Sequence, residues 1–438
     1  MPLADSFGGR HRVLVTIAKP DVERRPRLHW AWVIAAVSFV AILGAAGFRS
    51  VPGVMMNPLH HEFGWSHGTV GLAMSVNMTL FGLTAPFAAA LMDRFGVRPV
   101  LTVALLLVSA GSALSVTMTA SWQLVLLWGV LVGLGTGSMA LGFVALLVGR
   151  WFVRRQGLVT GVLTAGTATG QLIFLPTLAA VTQASGWRAA SIVVTAGALV
   201  MVPVVLAFMR NSPAEVGVVA YGADPGVPAA RPAVHHGVAT RAIAVLGRAA
   251  RRRSFWLLAG SFAICGASTN GLVGTHFVPA AHDHGMPSTT AAGLLALVGV
   301  FDVLGTVASG WLTDRVDARY LLAAYYLLRG ASLGVLPGLF GPSVQPPMWA
   351  FIVFYGLDWV ATVPPTVTLC RRIFGEDGPI VFSWVFASHQ VGAAVVATAA
   401  GVIRDATGAY TWAWLGSAGL CGLAMLFCLA IRRPVAVG

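Results

Sequence analysis

From residue 30 to the C-terminus the chain returns repeatedly to apolar runs, each of about 20 residues or more and so long enough to cross a hydrocarbon layer roughly 30 Å thick as a helix. The runs fall at 30–50, 69–91, 99–119, 122–149, 157–181, 187–209, 254–280, 289–311, 320–340, 347–370, 379–403 and 410–431. They are apolar all round rather than alternating, which excludes a barrel of short strands. Only 10% of the 438 residues are charged, whereas an ordinary soluble domain carries roughly 25%. The sequence therefore predicts an all-α polytopic membrane protein with twelve transmembrane helices, numbered here 1 to 12 in the order given.

The net charge of +13 invites a nucleic-acid reading until its placement is examined. Of 28 basic residues, 24 lie in the tails or in the loops after helices 2, 4, 6, 8 and 10; Arg49, Arg188, Arg329 and Arg404 are the exceptions. That is the positive-inside bias, and with an even number of helices it predicts both termini in the cytoplasm. The basicity reports topology, with the lipid bilayer and not nucleic acid as the partner. The N-terminal stretch "GGRHRVLVTIAKPDVERRPRLHW" has no apolar core followed by a cleavage site, so helix 1 is expected to act as the insertion signal.

Cys265, Cys370, Cys421 and Cys428 lack CxxC spacing and predict neither disulfides nor a zinc site. The pair His235-His236 sits in a loop without a Cys or acidic partner and reads as solvated. Lys19 is the only lysine, so no Walker loop is possible, and HExxH and GxSxG are missing. No enzyme activity, metal or cofactor is expected.

Residues 210–253 form the one long break, rich in Ala, Gly, Pro and Val and closed by Arg251-Arg252-Arg253. The predicted layout is a tail (1–29), a six-helix bundle (30–209), a cytoplasmic linker (210–253), a second six-helix bundle (254–432) and a tail (433–438). The bundles repeat: Asp93 and Asp314 each open D-R-x-x-x-R after an even-numbered helix, 221 residues apart. Gly186 in "ASGWRAA" and Gly408 in "ATGAYTW" are 222 apart. Two landmarks that agree within one residue point to duplication, the mark of transporters with a central site between pseudo-symmetric halves.

With "DRFGVR" (93–98) and "GWLTDRVDAR" (310–319), the chain resembles the major facilitator superfamily, whose signature loop is G-x-L-x-D-R-x-G-x-R. Ala89 and Asp317 stand where that pattern has glycine. The resemblance implies that Asp93, Arg94, Arg98, Asp314, Arg315 and Arg319 are gating groups that bridge helix ends and lock one conformational state, not a substrate site. "HWAWVI" (29–34), "EFGWSHGTVG" (62–71) and "WFVRRQGLVTGVLTAG" (151–166) are similar to the monocarboxylate transporter and oxalate-formate exchanger branch. Helix 4 has no arginine near Gly129 and "GQLIFLPTL" has no Gly-Pro, unlike drug/proton antiporters. The branch implies an anion and proton site made by a base near the outer end of helix 1, matched by Arg49, and an F-x-D-x-x-x-R pattern in helix 8. Asp302 matches its acid; Thr306 occupies the place of its arginine.

An ionisable residue deep in a membrane helix costs roughly 2.5–3.5 kcal/mol on insertion scales and needs a partner, a wet cavity or a role. Asp302 lies about 18 Å along its helix from Asp314, Arg329 about 15 Å from Arg319, and Asp358 about 20 Å from Arg371. His389 sits near the middle of helix 11. The structural expectation is that Arg329 neutralises Asp358 or Asp302. One arginine cannot fully neutralise two separated carboxylates, so at least one acid should be protonated, water-exposed or paired with His389. Asp302 is the first candidate proton carrier, with Arg49 drawing in a substrate carboxylate. Asp358 is close behind, because Pro364-Pro365 should bend or break helix 10 six residues on. His389 and Gln390 can donate to a carboxylate or relay protons, or be satisfied by neighbouring carbonyls. Asn270 and His276 on helix 7, Asn77 on helix 2 and Gln171 on helix 5 offer further polar contacts.

These features predict a monomeric secondary transporter working by alternating access, which moves a small organic anion with protons. The competing readings are proton-driven efflux of an amphipathic or aromatic compound, and a non-transporting membrane sensor on the same scaffold. The preference for Arg over Lys and the abundance of Ala and Gly suggest a GC-rich bacterial genome, and hence an inner membrane.

Overall fold

The computed structural model describes residues 29–65, 67–224 and 237–432. The tails, His235 and His236 lie outside the described residues, as does the side chain of Arg49, whose backbone is helical.

Among the described residues, ten helical stretches are long and apolar enough to cross a membrane. Two of them hold two crossings each: Gln156–Phe208 runs for 53 residues and Pro346–Thr407 for 62. Twelve crossings result, as the sequence predicts. In the first double stretch the break falls at Gly186, with φ 81°, a backbone that L side chains rarely adopt. Its repeat partner Gly408 ends helix 11 with φ 75°. The 222-residue offset thus marks the helix 5–6 and helix 11–12 junctions, each at a glycine of positive φ, though ψ differs (168° and −1°). Large apolar side chains such as Val103, Ile192, Leu304 and Leu423 stay exposed around the outside, where lipid makes exposure ordinary.

Helix 10 is interrupted. It runs Pro346–Asp358, stops, and resumes as Val363–Phe374. Pro364 and Pro365 sit in the first turn of the second piece, where a missing N–H costs nothing. The break exposes backbone groups that lipid cannot satisfy, and buried side chains do so instead. Asp302 accepts from Val360 N at 3.0 Å, Ser309 Oγ donates to Ala361 O, and Arg329 Nη2 donates to Asp358 O at 2.6 Å and Trp359 O at 3.1 Å.

The two signature loops differ where their sequences differ. Gly96 takes φ 91°, and a Cβ there would collide with the Asn211 side chain. Asp317, its counterpart 221 residues on, has an ordinary φ of −61° and caps helix 9 by accepting from Arg319 N. The departure from glycine in the second copy is therefore a change of turn, with the carboxylate now paired to Arg319 at 2.8 Å. The last arginine of each copy ties down the end of its half: Arg98 Nη2 donates to Leu206 O of helix 6, and Arg319 Nη1 to Ile431 O beyond helix 12 at 2.9 Å.

Within the linker, Val238–Ala250 forms a helix that the sequence reading does not anticipate; its Ala242, Val245 and Ala249 are buried. Arg241 joins Asp93 at 2.7 Å, Arg248 joins Asp377 at 2.7 Å, and Trp384 Nε1 donates to Ala242 O. The linker helix thus lies against the face that carries the signature loops, called here the motif face. Its polar signal in "VATRAIAVLGRAA" is short and was masked by the Ala-rich composition around it.

Candidate functional site: a cavity between the halves

A cavity of about 660 Å³ lies between the two bundles. Its wall comes from helices 1, 2, 4 and 5 of the first half and helices 7, 8, 10 and 11 of the second. The lining residues lie around the middle of these helices, among them Ala45 on helix 1, Thr79 on helix 2, Ala168 on helix 5, Asn270 on helix 7 and Gln390 on helix 11. Its open side is set by where the halves touch, and they touch on the motif face.

On the motif face the halves are shut. Helices 5 and 8 meet at Gly157, Gly161 and Gly310, so closely that a Cβ on Gly157 or Gly310 would run into the other helix's backbone, and one on Gly161 would stand 2.6 Å from Thr306 O. Small residues permit such backbone contact in lipid. Asp314 reinforces the seam: its Oδ1 accepts from Gly157 N at 2.7 Å and its Oδ2 from Leu158 N at 3.0 Å, placing a carboxylate on the free N–H groups and positive end of helix 5. On the opposite side, Phe81 meets Phe386 and Phe87 meets Trp384 edge to face. Gly310→Val should wedge the helix 5–helix 8 seam and favour the state open on the motif face. Thiol labelling of single cysteines on either face reads this: labelling should rise on the motif face and fall in the present cavity, and an unchanged pattern would mean the seam does not control closure.

The remaining signature residues hold more local contacts. Asp93 binds Arg150 at 2.8 Å and Arg241 at 2.7 Å, Arg94 stacks on Phe95, and Arg315 lies over the Trp311 ring at 3.8 Å.

Of the predicted site residues, Asp302, His389, Gln390 and Asn270 all line the cavity. Asp302 is 2% exposed and is the only Asp, Glu, Lys or Arg among the described lining residues. Its Oδ1 accepts from Thr306 Oγ1 at 2.7 Å as well as from Val360 N. Thr306, in place of the branch's arginine, thus serves the acid as a neutral donor. Asn270 reaches the wall from a π-helical stretch of helix 7, Ala267–Val273, a winding often found at functional positions.

Asp358 stands behind the wall. Its Oδ2 accepts from Arg329 Nε at 2.6 Å, and Arg329 is fully buried. Arg329 also reaches the Cys265 thiol at 3.0 Å. Arg329 is therefore brought to Asp358 and to the broken helix, not onto Asp302. His276 is engaged with Ala397 O at 2.8 Å, and Asn77 donates to Trp128 O at 2.8 Å. Gln171 lines the cavity. The sequence reading makes Asp314 a bridge between helix ends without naming helix 5 as its partner, and it misses Thr164 on the cavity wall. The glycines four apart in "QGLVTGVLTAG" were a usable sign of that partner; nothing in the sequence distinguishes Thr164 from other helical threonines.

The model of the Major Facilitator Superfamily matches residues 37–377 and, in a second match, residues 270–437. The chain belongs to the major facilitator superfamily. Among the transporter's relatives, mouse Monocarboxylate transporter 11 is 28% identical over 404 residues, covering 88% of this chain and 84% of that protein. The uncharacterized MFS-type transporter YcxA of Bacillus subtilis (strain 168) is 25% identical, covering 88% and 90%. Human Monocarboxylate transporter 11 is 28% identical, covering 92% of this chain and 83% of that protein. Among solved structures, the E. coli fucose:proton symporter FucP superposes with a TM-score of 0.67 at 17% identity, over 91% of this chain and 100% of that one. The human organic anion transporter MFSD10 gives 0.68 at 14%, over 92% and 100%. These superpositions establish the shared fold.

Proposed function

We propose that this transporter is a carrier, not an enzyme, and moves a small organic monocarboxylate together with a proton by alternating access. The observation that carries the reading is Asp302: a buried carboxylate on the wall of a cavity shared by both halves, held by two neutral donors and by no ion pair among the described residues. Such an acid can take up a proton without breaking a salt bridge. Its bond to Val360 N links that proton to the break in helix 10, since a neutral carboxyl accepts more weakly than a carboxylate. Proton loading thus loosens the hold of helix 8 on helix 10, at the place where helix 10 can hinge. Arg49 supplies the attraction for the incoming anion.

With the motif face cytoplasmic, as the placement of basic residues suggests, the present state faces outward. Both termini then lie in the cytoplasm, and a bacterial inner membrane fits the composition. The carrier works as a monomer, each chain holding a complete cavity. The test is uptake of labelled monocarboxylates into proteoliposomes with and without an inward proton gradient. Gradient-stimulated uptake supports the proposal, and flux only of uncharged amphipathic compounds, outward against protons, would replace it with efflux.

A further inference from the structure

The polar groups along the cavity differ in whether their hydrogen-bonding capacity is already used. Thr79 Oγ1 donates to Ser75 O, Thr269 Oγ1 to Cys265 O and Thr275 Oγ1 to Asn270 O. Two residues of the wall, one from each half, carry a buried side-chain atom with no partner among the described residues: Thr164 on helix 5 with its Oγ1, and His389 on helix 11 with its Nδ1. Thr164 is 1% exposed and His389 9%. On the same helix, Thr160, Thr169 and Thr177 each donate to the carbonyl four residues back. Thr164 forgoes that bond.

Buried polar atoms are almost always paired, so an unmade bond at a cavity wall points to a ligand that makes it. The His389 ring is set between Phe262, at 5.1 Å, and Phe386, at 5.9 Å. The ring also meets the Cys265 thiol, which Arg329 and Thr362 engage as well, while its Nδ1 stays without a partner among the described residues.

We infer that Thr164 and His389 are the two jaws of a carboxylate site, each donating to one oxygen of the substrate. This rests on the carboxylate reading above and narrows its class to monocarboxylates with a sizeable apolar body. Much of the remaining wall favours that class: Ile42, Ala45, Met78, Met139 and Ala394 offer alkyl surface for an apolar body, beside the amides of Gln171, Asn270 and Gln390. Because one jaw belongs to each half, a bound carboxylate ties the halves together, and its arrival favours closure of the cavity.

The test uses purified full-length protein, phenylacetate as probe, and phenylacetamide and lactate as comparators. Phenylacetate should bind more tightly than either. Thr164→Val should weaken it by at least about tenfold, since a bond to a charged group is lost. The same substitution should leave the melting temperature of the free protein unchanged or raised, because the hydroxyl makes no bond there. A hydroxyl with a merely structural role would lower it. His389→Gln should also weaken binding, and the double variant should lose less than the product of the two single effects. Undiminished binding of phenylacetate to Thr164→Val would overturn the jaws alone. Equal binding of lactate would overturn the apolar class, and binding of neither acid would overturn the jaws together with the carboxylate reading.

Discussion

Asp302→Asn carries carboxylate downhill and in exchange, yet fails to accumulate it against a concentration gradient when protons are the driving force. The asparagine retains an oxygen able to accept from Thr306 and Val360, so the helix 8–helix 10 contact survives. It cannot gain or lose a proton, so that contact no longer changes through the cycle. Accumulation should fall by an order of magnitude or more, while exchange of labelled for unlabelled substrate stays within a few fold of wild type. Measuring both in the same proteoliposomes separates coupling from binding. Accumulation at wild-type levels would remove Asp302 from the proton path and move attention to Asp358 and His389.

Arg329→Leu should be the most destabilising single substitution in the second half. It leaves the Asp358 carboxylate buried without its charge partner, a change that costs about 3–5 kcal/mol in measured cases. It also strips the donors from Asp358 O and Trp359 O at the helix 10 break. The two losses can be told apart. If the ion pair alone mattered, the double variant Arg329→Leu/Asp358→Leu would regain nearly all the stability, because replacing a whole buried pair with apolar groups is often neutral. Since Arg329 also serves the broken backbone, recovery should be partial. Thermal unfolding in detergent reads both variants; a melting temperature for Arg329→Leu equal to wild type would contradict the assignment.

The architecture was legible because lipid leaves so few choices: run length set the crossings, charge placement suggested the topology, and the 221–222 residue offset exposed the repeat. Pro364-Pro365 gave away the interruption of helix 10 through the missing N–H groups alone. The partners of the buried charges were less legible. Helical rise places Asp302, Arg329 and Asp358 at similar depth but says nothing about which helices adjoin. The choice of Asp358 for Arg329 depends on where helix 9 packs against the break. Thr164 was invisible for a related reason: its interest lies in a bond it does not make, and a missing bond leaves no mark in sequence. The Arg241 bridge from linker to Asp93 was hidden by a composition that reads as a flexible connector, though thirteen of its residues pair an apolar face with arginines.

The central claim is that carboxylate and proton cross together through Asp302. The most direct measurement traps a pH-sensitive dye inside proteoliposomes and follows internal pH when a permeant-free monocarboxylate gradient is imposed from outside. The account predicts prompt internal acidification with wild-type protein, matching the carboxylate taken up, and none above the protein-free leak with Asp302→Asn. Carboxylate entry through the wild-type protein without any proton movement would contradict it.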